Sequence, residues 1–228
     1  MVHKGRIPQD VIDAVVRRRG HVHCFEDIDP TRTAFVVIDM QNAFVHPGYG
    51  PAYCAAASGI IPAINHLASA LRASGGRVFW IRTTHGPACR KDWSVLYDHI
   101  IPNTGDARVA ALSPGAPGHA LVEGLDIDPA DDVVEKYRYS AFLAAASDLP
   151  QRLESAGLNT VIIGGTVTNI CCESSARDAM MMNFRTIMVS DANAAKDDAT
   201  HWASLSSFYS GFGDVMTVAE IVQRLKSA

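Results

Sequence analysis

The stretch Thr33-Ala34-Phe35-Val36-Val37-Ile38-Asp39 has five consecutive apolar residues and ends on an acid. A strand with one wet face alternates polar and apolar residues, so an unbroken apolar run has both faces covered. A parallel sheet with helices on both sides meets that condition. Apolar runs of the same kind recur at Arg77–Thr83, Asp132–Lys136, Thr160–Gly165 and Arg185–Asp191, with a short one inside Gly211–Thr217. Between them lie segments with helical spacing: Ile60–Ser74, Asp148–Ala156, Asn169–Asn183, Ala199–Tyr209 and Ala219–Lys226. Strand–helix alternation predicts right-handed crossovers and an α/β chain. We expect one three-layer α/β/α domain over residues 33–228, with a mostly parallel six-stranded sheet. Residues 1–32 are expected to be an N-terminal arm carrying a short helix, punctuated by Pro8 and Gly20.

Composition excludes several classes of function. The net charge of −4 gives no electrostatic reason to expect nucleic acid or an anionic membrane as partner. No apolar run reaches the roughly 20 residues of a membrane span. The start of the chain lacks a signal-peptide apolar segment, so a cytoplasmic location is the default expectation. Five cysteines at irregular spacing do not make a disulfide framework, and there is no Cys-x-x-Cys. The phosphate-binding Gly-x-Gly-x-x-Gly and P-loop patterns are missing, as is the Gly-x-Ser-x-Gly elbow of serine hydrolases. His85 and His99 are too isolated to be metal ligands, so no metal or other cofactor is expected.

Reactive side chains gather where strands end. Asp39 closes the first run, Lys136 closes the third, and Cys171 follows the fourth by one turn. In a parallel sheet these positions share one edge, the edge where open α/β sheets bind ligands. Alone, Asp39 also reads as a turn or helix cap, and Lys136 as a solvated strand end. Together they make a thiol, a base to deprotonate it, and a cation to hold the ionised forms. Cys171 at a helix start is expected to have thiolate character. The long segment 84–118 is rich in Gly, Pro and His and is read as a largely irregular insert with a short helix around Trp93 and Tyr97, a source of substrate contacts or a lid. Within and around it, Asn42, Phe44, His85, Trp93, Arg138 and Tyr139 are candidate substrate contacts, with Arg138 the candidate partner for a substrate carboxylate.

Three motifs carry a resemblance. They are Val36-Val37-Ile38-Asp39-Met40-Gln41-Asn42, then Lys136-Tyr137-Arg138-Tyr139-Ser140-Ala141-Phe142, and Gly165-Thr166-Val167-Thr168-Asn169-Ile170-Cys171-Cys172-Glu173-Ser174-Ser175-Ala176-Arg177-Asp178-Ala179. In order and spacing the chain resembles the isochorismatase-like cysteine hydrolases, whose fold is Rossmann-like. The resemblance implies Asp39 as general base, Lys136 as supporting cation and Cys171 as nucleophile. It also implies a cis peptide at Thr166-Val167 and an oxyanion hole from the N–H groups of Val167 and Cys171. Nicotinamidase relatives carry a metal site soon after the first strand. Residues 46–60 lack its pattern, which again implies no metal. Relatives form dimers or tetramers, so a homodimer or homotetramer is implied.

Isochorismatase itself, a vinyl-ether hydrolase, lacks the cysteine, so Cys171 turns the expectation toward C–N hydrolysis. The Lys-x-Arg-Tyr-Ser-x-Phe segment is most similar to the ureidoacrylate amidohydrolase branch. The expected substrate is therefore a small linear amide, ureide or carbamoyl compound, with water as second reactant and a covalent thioester-type intermediate on Cys171. The alternatives are a vinyl-ether or ester hydrolase of the same fold, and a catalytically silent binding domain.

Overall fold

A computed structural model describes residues 2–225. In chain order the elements are α1 (Gln9–Arg19), β1 (Thr33–Ile38), α2 (Asn42–Val45), α3 (Ile61–Ala73), β2 (Arg77–Thr83), α4 (Cys89–Asp92), α5 (Gly105–Leu112) and β3 (Asp132–Lys136). They continue as α6 (Leu149–Ser155), β4 (Thr160–Thr166), α7 (Glu173–Met181), β5 (Arg185–Ala194), α8 (Asp198–Gly211), β6 (Asp214–Met216) and α9 (Val218–Leu225). The six strands form one sheet in the order β3-β2-β1-β4-β5-β6, and every pairing is parallel.

β1 is buried at all six positions, and its side chains feed two cores alternately. Ala34, Val36 and Ile38 pack with α6, α7 and α8 residues such as Leu153, Ala176 and Leu205. Phe35 and Val37 pack on the other face with Ile64, Leu67 and Ile221 of α3 and α9. This is the double coverage that the unbroken apolar run requires. The arm belongs to the same packing, since Ile7 and Val15 lie in the first of these cores.

Three local expectations are revised. Segment 84–118 is not largely irregular. It holds α4, a π-turn at Val95–Ile100, α5, and a 3₁₀ turn at Pro117–His119. The fourth strand, expected to end at Gly165, runs one residue further to Thr166. The segment 169–183 is not one helix: a π-turn at Thr168–Cys172 precedes α7. β5 also runs on to Ala194, because Asn193 donates from Nδ2 to the carbonyls of Ile163 (2.8 Å) and Val189 (2.7 Å). Those two bonds bridge a shift in register between β4 and β5.

The arm is tied to the far sheet edge by Asp214 of β6, whose side chain is fully buried. Its carboxylate accepts from the Cys24 N–H at 2.7 Å and lies 3.0 Å from Nδ1 of His23. His23 Nε2 is 3.5 Å from Glu220 of α9. Hydrogen bonds to Asp214 and Glu220, opposed by burial, raise the His23 pKa from 6.5 to about 9. A raised cationic group stabilises the fold fully below its unfolded pKa, and the contribution is lost as pH rises through the folded value. With solvent screening of a partly exposed group allowed for, the effect is about 1–2 kcal/mol. The stability advantage of wild type over His23→Gln is therefore expected to be full at pH 6 and to shrink toward pH 9.5. Melting temperatures across that range check it; a constant difference would count against the assignment.

Candidate active site

β1 sits between β2 on one side and β4 on the other, so the strand order reverses there. Such a switch point opens a crevice at the carboxyl ends of the strands. Asp39 is the first residue past β1, held by its N–H on the Ile81 carbonyl at 3.0 Å and set at φ +54°. Thr83, the last residue of β2, lies opposite Lys136, the last of β3. On the other flank Gly165 of β4 faces Ile38. Gly165 has φ +113°, and an added Cβ would stand 2.1 Å from the Ile38 carbonyl oxygen, so glycine alone fits this approach. The Thr166-Val167 peptide bond is cis. The π-turn at Thr168–Cys172 then sets Cys171 in the crevice before α7 begins. His201 of α8 steadies the turn, its Nδ1 3.0 Å from the Thr168 hydroxyl and its Nε2 3.1 Å from the Ser190 carbonyl.

Four side chains make a compact buried network. Lys136 Nζ is 2.9 Å from Asp39 Oδ2, and neither side chain is exposed. The Thr83 hydroxyl donates to Asp39 Oδ1 at 2.9 Å and accepts from Lys136 Nζ at 2.5 Å. A further Lys136 proton goes to the Arg138 carbonyl at 3.1 Å. Asp39 Oδ2 is buried and, its ion pair aside, accepts no aligned hydrogen bond. It is the carboxylate oxygen left for a proton. Cys171, 2 % exposed, lies near enough to this pair for the charges of both Lys136 and Asp39 to act on its thiol.

The electrostatics follow from burial. Desolvation pushes the Cys171 thiol up to about 12, against the pull of Lys136. The expected thiolate character is thus overturned for the resting state. Cys171 lies inside a π-turn in a dry crevice, and loss of water outweighs any helix-start effect. For Lys136, burial opposes the charge, but Asp39 and Cys171 beside it hold the pKa above the usual lysine value. The resting network is a thiol beside an ammonium–carboxylate pair.

Residues 33–220 match the model of the isochorismatase domain family. The chain belongs to the isochorismatase family. Among curated relatives, the ureidoacrylate amidohydrolase RutB of Methylobacterium radiotolerans is 31% identical over 84% of this chain and 79% of its own length. The protein of the same name from Caulobacter vibrioides is 28% identical over 85% of this chain and 91% of its own. A cysteine hydrolase from Pseudomonas syringae pv. phaseolicola superposes with a TM-score of 0.78 at 32% identity, covering 88% of this chain and 95% of its own. N-carbamoylsarcosine amidase from Thermoplasma acidophilum gives a TM-score of 0.65 at 26% identity, with 82% and 97% covered.

This family member's candidate contacts divide into two groups. His85, Trp93 and Tyr139 gather beside the crevice, and Phe44 packs on Leu112, whose carbonyl accepts from the His85 N–H. The Trp93 ring meets Tyr139 edge-on at 4.8 Å and His85 at 6.4 Å, centroid to centroid. His85 is buried with Nδ1 2.8 Å from the Tyr97 hydroxyl, while its Nε2 has no partner. Burial, with Arg108, Lys136 and Arg138 nearby, lowers its pKa to about 3, so the ring is neutral. Asn42 and Arg138 are committed elsewhere. The Asn42 amide donates to the Pro117 carbonyl at 2.9 Å. Arg138 donates to the carbonyls of Tyr137 and Asp92, both at 2.8 Å, and its guanidinium lies 5.2 Å from the Trp93 ring centre. The expected Arg138–carboxylate contact is therefore not supported, because that fork is spent on backbone.

Two site residues escaped the sequence reading. Thr83 bridges the ion pair; its place at the end of the second apolar run was the available signal, whereas the register that sets it opposite Lys136 was not. Gln41 clamps the same edge, accepting from the Thr83 N–H at 2.8 Å and donating to the Thr83 and His119 carbonyls at 3.1 and 2.9 Å. Cys172 is fully buried in the core, as a small apolar residue would be. Among the described residues no cluster of three or more His, Cys, Asp or Glu could hold a metal ion. No helix among them is long and apolar enough to cross a membrane.

Proposed function

We propose that this hydrolase is a cysteine amidohydrolase that cleaves a C–N bond of a small linear ureide or carbamoyl compound, with Asp39, Lys136 and Cys171 as its catalytic residues. The observation that carries the proposal is the dry Asp39–Lys136 pair meeting the Cys171 thiol, with one carboxylate oxygen unspent. Relatives named ureidoacrylate amidohydrolase and N-carbamoylsarcosine amidase support the substrate class.

In the first half-reaction Sγ of Cys171 attacks the substrate carbonyl carbon as its proton passes to Asp39 Oδ2. The thiol must lose that proton only as the bond forms, since a free thiolate is disfavoured at this depth. Lys136 balances the charge throughout. The carbonyl oxygen becomes an oxyanion, received by the N–H groups of Val167 and Cys171. The tetrahedral intermediate collapses, the C–N bond breaks, and Asp39 returns the proton to the departing nitrogen. That leaves an acyl- or carbamoyl-thioester on Cys171. In the second half-reaction Asp39 takes a proton from water as it adds to the thioester. The C–S bond then breaks, and the proton returns to sulfur.

The test is ammonia release from a panel of ureidoacrylate, biuret, maleamate, nicotinamide and N-carbamoyl amino acids. Turnover of at least one linear ureide or carbamoyl compound, above nicotinamide, is expected. Absence of ammonia from every member, with hydrolysis of a vinyl ether or ester instead, would refute C–N hydrolysis.

A further inference from the structure

Among the described residues, six buried side-chain atoms lack a hydrogen-bond partner, and three of them belong to residues that act electrostatically on the Cys171 crevice or on its neighbour His85: Asp39 Oδ2, His85 Nε2 and Arg108 Nε. The first is explained by the proton it must accept. The other two are donors, or can be, and they stand on the insert between β2 and β3. Arg108 projects from α5, and its guanidinium lies 5.8 Å from the ring centre of Phe44 on α2. The next residue, Val109, packs with Tyr97, Trp93 and Tyr139. The same helix is fixed to the crevice wall by the His85 N–H on the Leu112 carbonyl at 3.0 Å.

Charge counting makes Arg108 conspicuous. Lys136 is neutralised by Asp39, and His85 is neutral. Arg138 keeps its charge, but its two terminal nitrogens are held by the carbonyls of Tyr137 and Asp92. Arg108 has no carboxylate within ion-pairing distance among the described residues. Its field nonetheless reaches Cys171, Lys136, His85, Tyr97 and Tyr139. A half-buried guanidinium without a counter-ion among the described residues, seated on an aromatic ring, leaves uncompensated positive charge beside the thiol. A planar anion with two oxygens matches its fork, as carboxylates do. With the Tyr97 hydroxyl donating to Nδ1, His85 presents Nε2–H as a further donor.

We propose that Arg108, assisted by His85, receives a carboxylate on the substrate at the end away from the scissile carbonyl. The substrate class narrows accordingly to ureido or carbamoyl acids. This rests on the C–N hydrolysis proposed above, and it moves the anion site from Arg138 to α5.

The test compares wild type, Arg108→Gln and Arg108→Lys on 3-ureidoacrylate and on its uncharged methyl ester. Wild type should prefer the acid. A charge-assisted hydrogen bond is worth about 10- to 100-fold, so the acid-over-ester ratio of kcat/KM should fall by about that factor in Arg108→Gln. The loss should sit mainly in KM, and Arg108→Lys should recover part of it. A purely electrostatic role on the thiol would instead lower both substrates alike and shift the pH profile of kcat. An unchanged ratio therefore overturns the proposal. Binding is read separately from turnover by titrating Trp fluorescence in the Cys171→Ala background with both compounds. Equal Kd for acid and ester there refutes the anion site even if ammonia is released. Failure to release ammonia while the acid still binds through Arg108 refutes only the C–N chemistry.

Discussion

Cys171→Ala is expected to remove ammonia release by about 10⁴-fold or more, while the protein stays folded. The scale follows from the proposed division of labour. Asp39 and Lys136 would have nothing to activate without the thiol, and a water in place of sulfur would lack the covalent intermediate. Stability should change by only about 1 kcal/mol, the usual cost of a small buried deletion. Cys171 is 2 % exposed and packs in the core that holds Ala34, Val36 and Ile38, so some loss is expected. Steady-state rates and melting curves on the same preparations check both halves. Substantial turnover by the variant would remove Cys171 from the mechanism. Cys172→Ala is the control, because that neighbour is fully buried and carries no proposed chemistry.

Lys136→Met should have the largest effect on stability. It leaves the Asp39 carboxylate with the Thr83 hydroxyl as its remaining side-chain hydrogen-bond donor, in a site with no solvent exposure. Breaking a buried ion pair from one side costs about 3–5 kcal/mol, because one charge stays behind without its partner. Removing both charges is different. Asp39→Asn combined with Lys136→Met should fold to within about 1–2 kcal/mol of wild type, since desolvation of two ions no longer opposes folding. Neither variant should turn over. Urea denaturation of both single variants and the double variant closes the cycle. If Lys136→Met proved as stable as wild type, the pair would not be the coupled unit described here.

The sequence showed the strands and the three reactive strand ends because each is a local signal. An unbroken apolar run can be read without knowing what covers it, and Asp39 and Lys136 end such runs. Register was not legible. Thr83 matters because β2 and β3 pair so that it faces Lys136, and no local pattern states that pairing. The insert was least legible. Gly, Pro and His hide α5, and the place of Arg108 on it is set by the packing of its neighbour Val109 against the cluster around Tyr97. Arg138 was misjudged for the same reason. Its nearness to Lys136 in sequence says nothing about the Asp92 carbonyl that occupies it. The state of Cys171 turned on the dryness of the crevice, which depends on every element around it.

The reversal of strand order at β1 divides the chemistry along the chain. The proposed base, its cation and the bridging threonine come from residues 39–136, on the β1-β2-β3 side. The proposed nucleophile and its turn come from residues 168–172, after β4. Neither half of the polypeptide holds a complete set, and the two meet along the β1–β4 seam, where backbone pairing runs from Thr33 and Thr160 to Ile38 and Gly165. Turnover is thus a readout of that seam. Two fragments cut in the connection between β3 and β4 would each be inert, and activity would return only with their reassembly. During synthesis on the ribosome, the acid–base half waits, chemically idle, until the last third of the chain arrives.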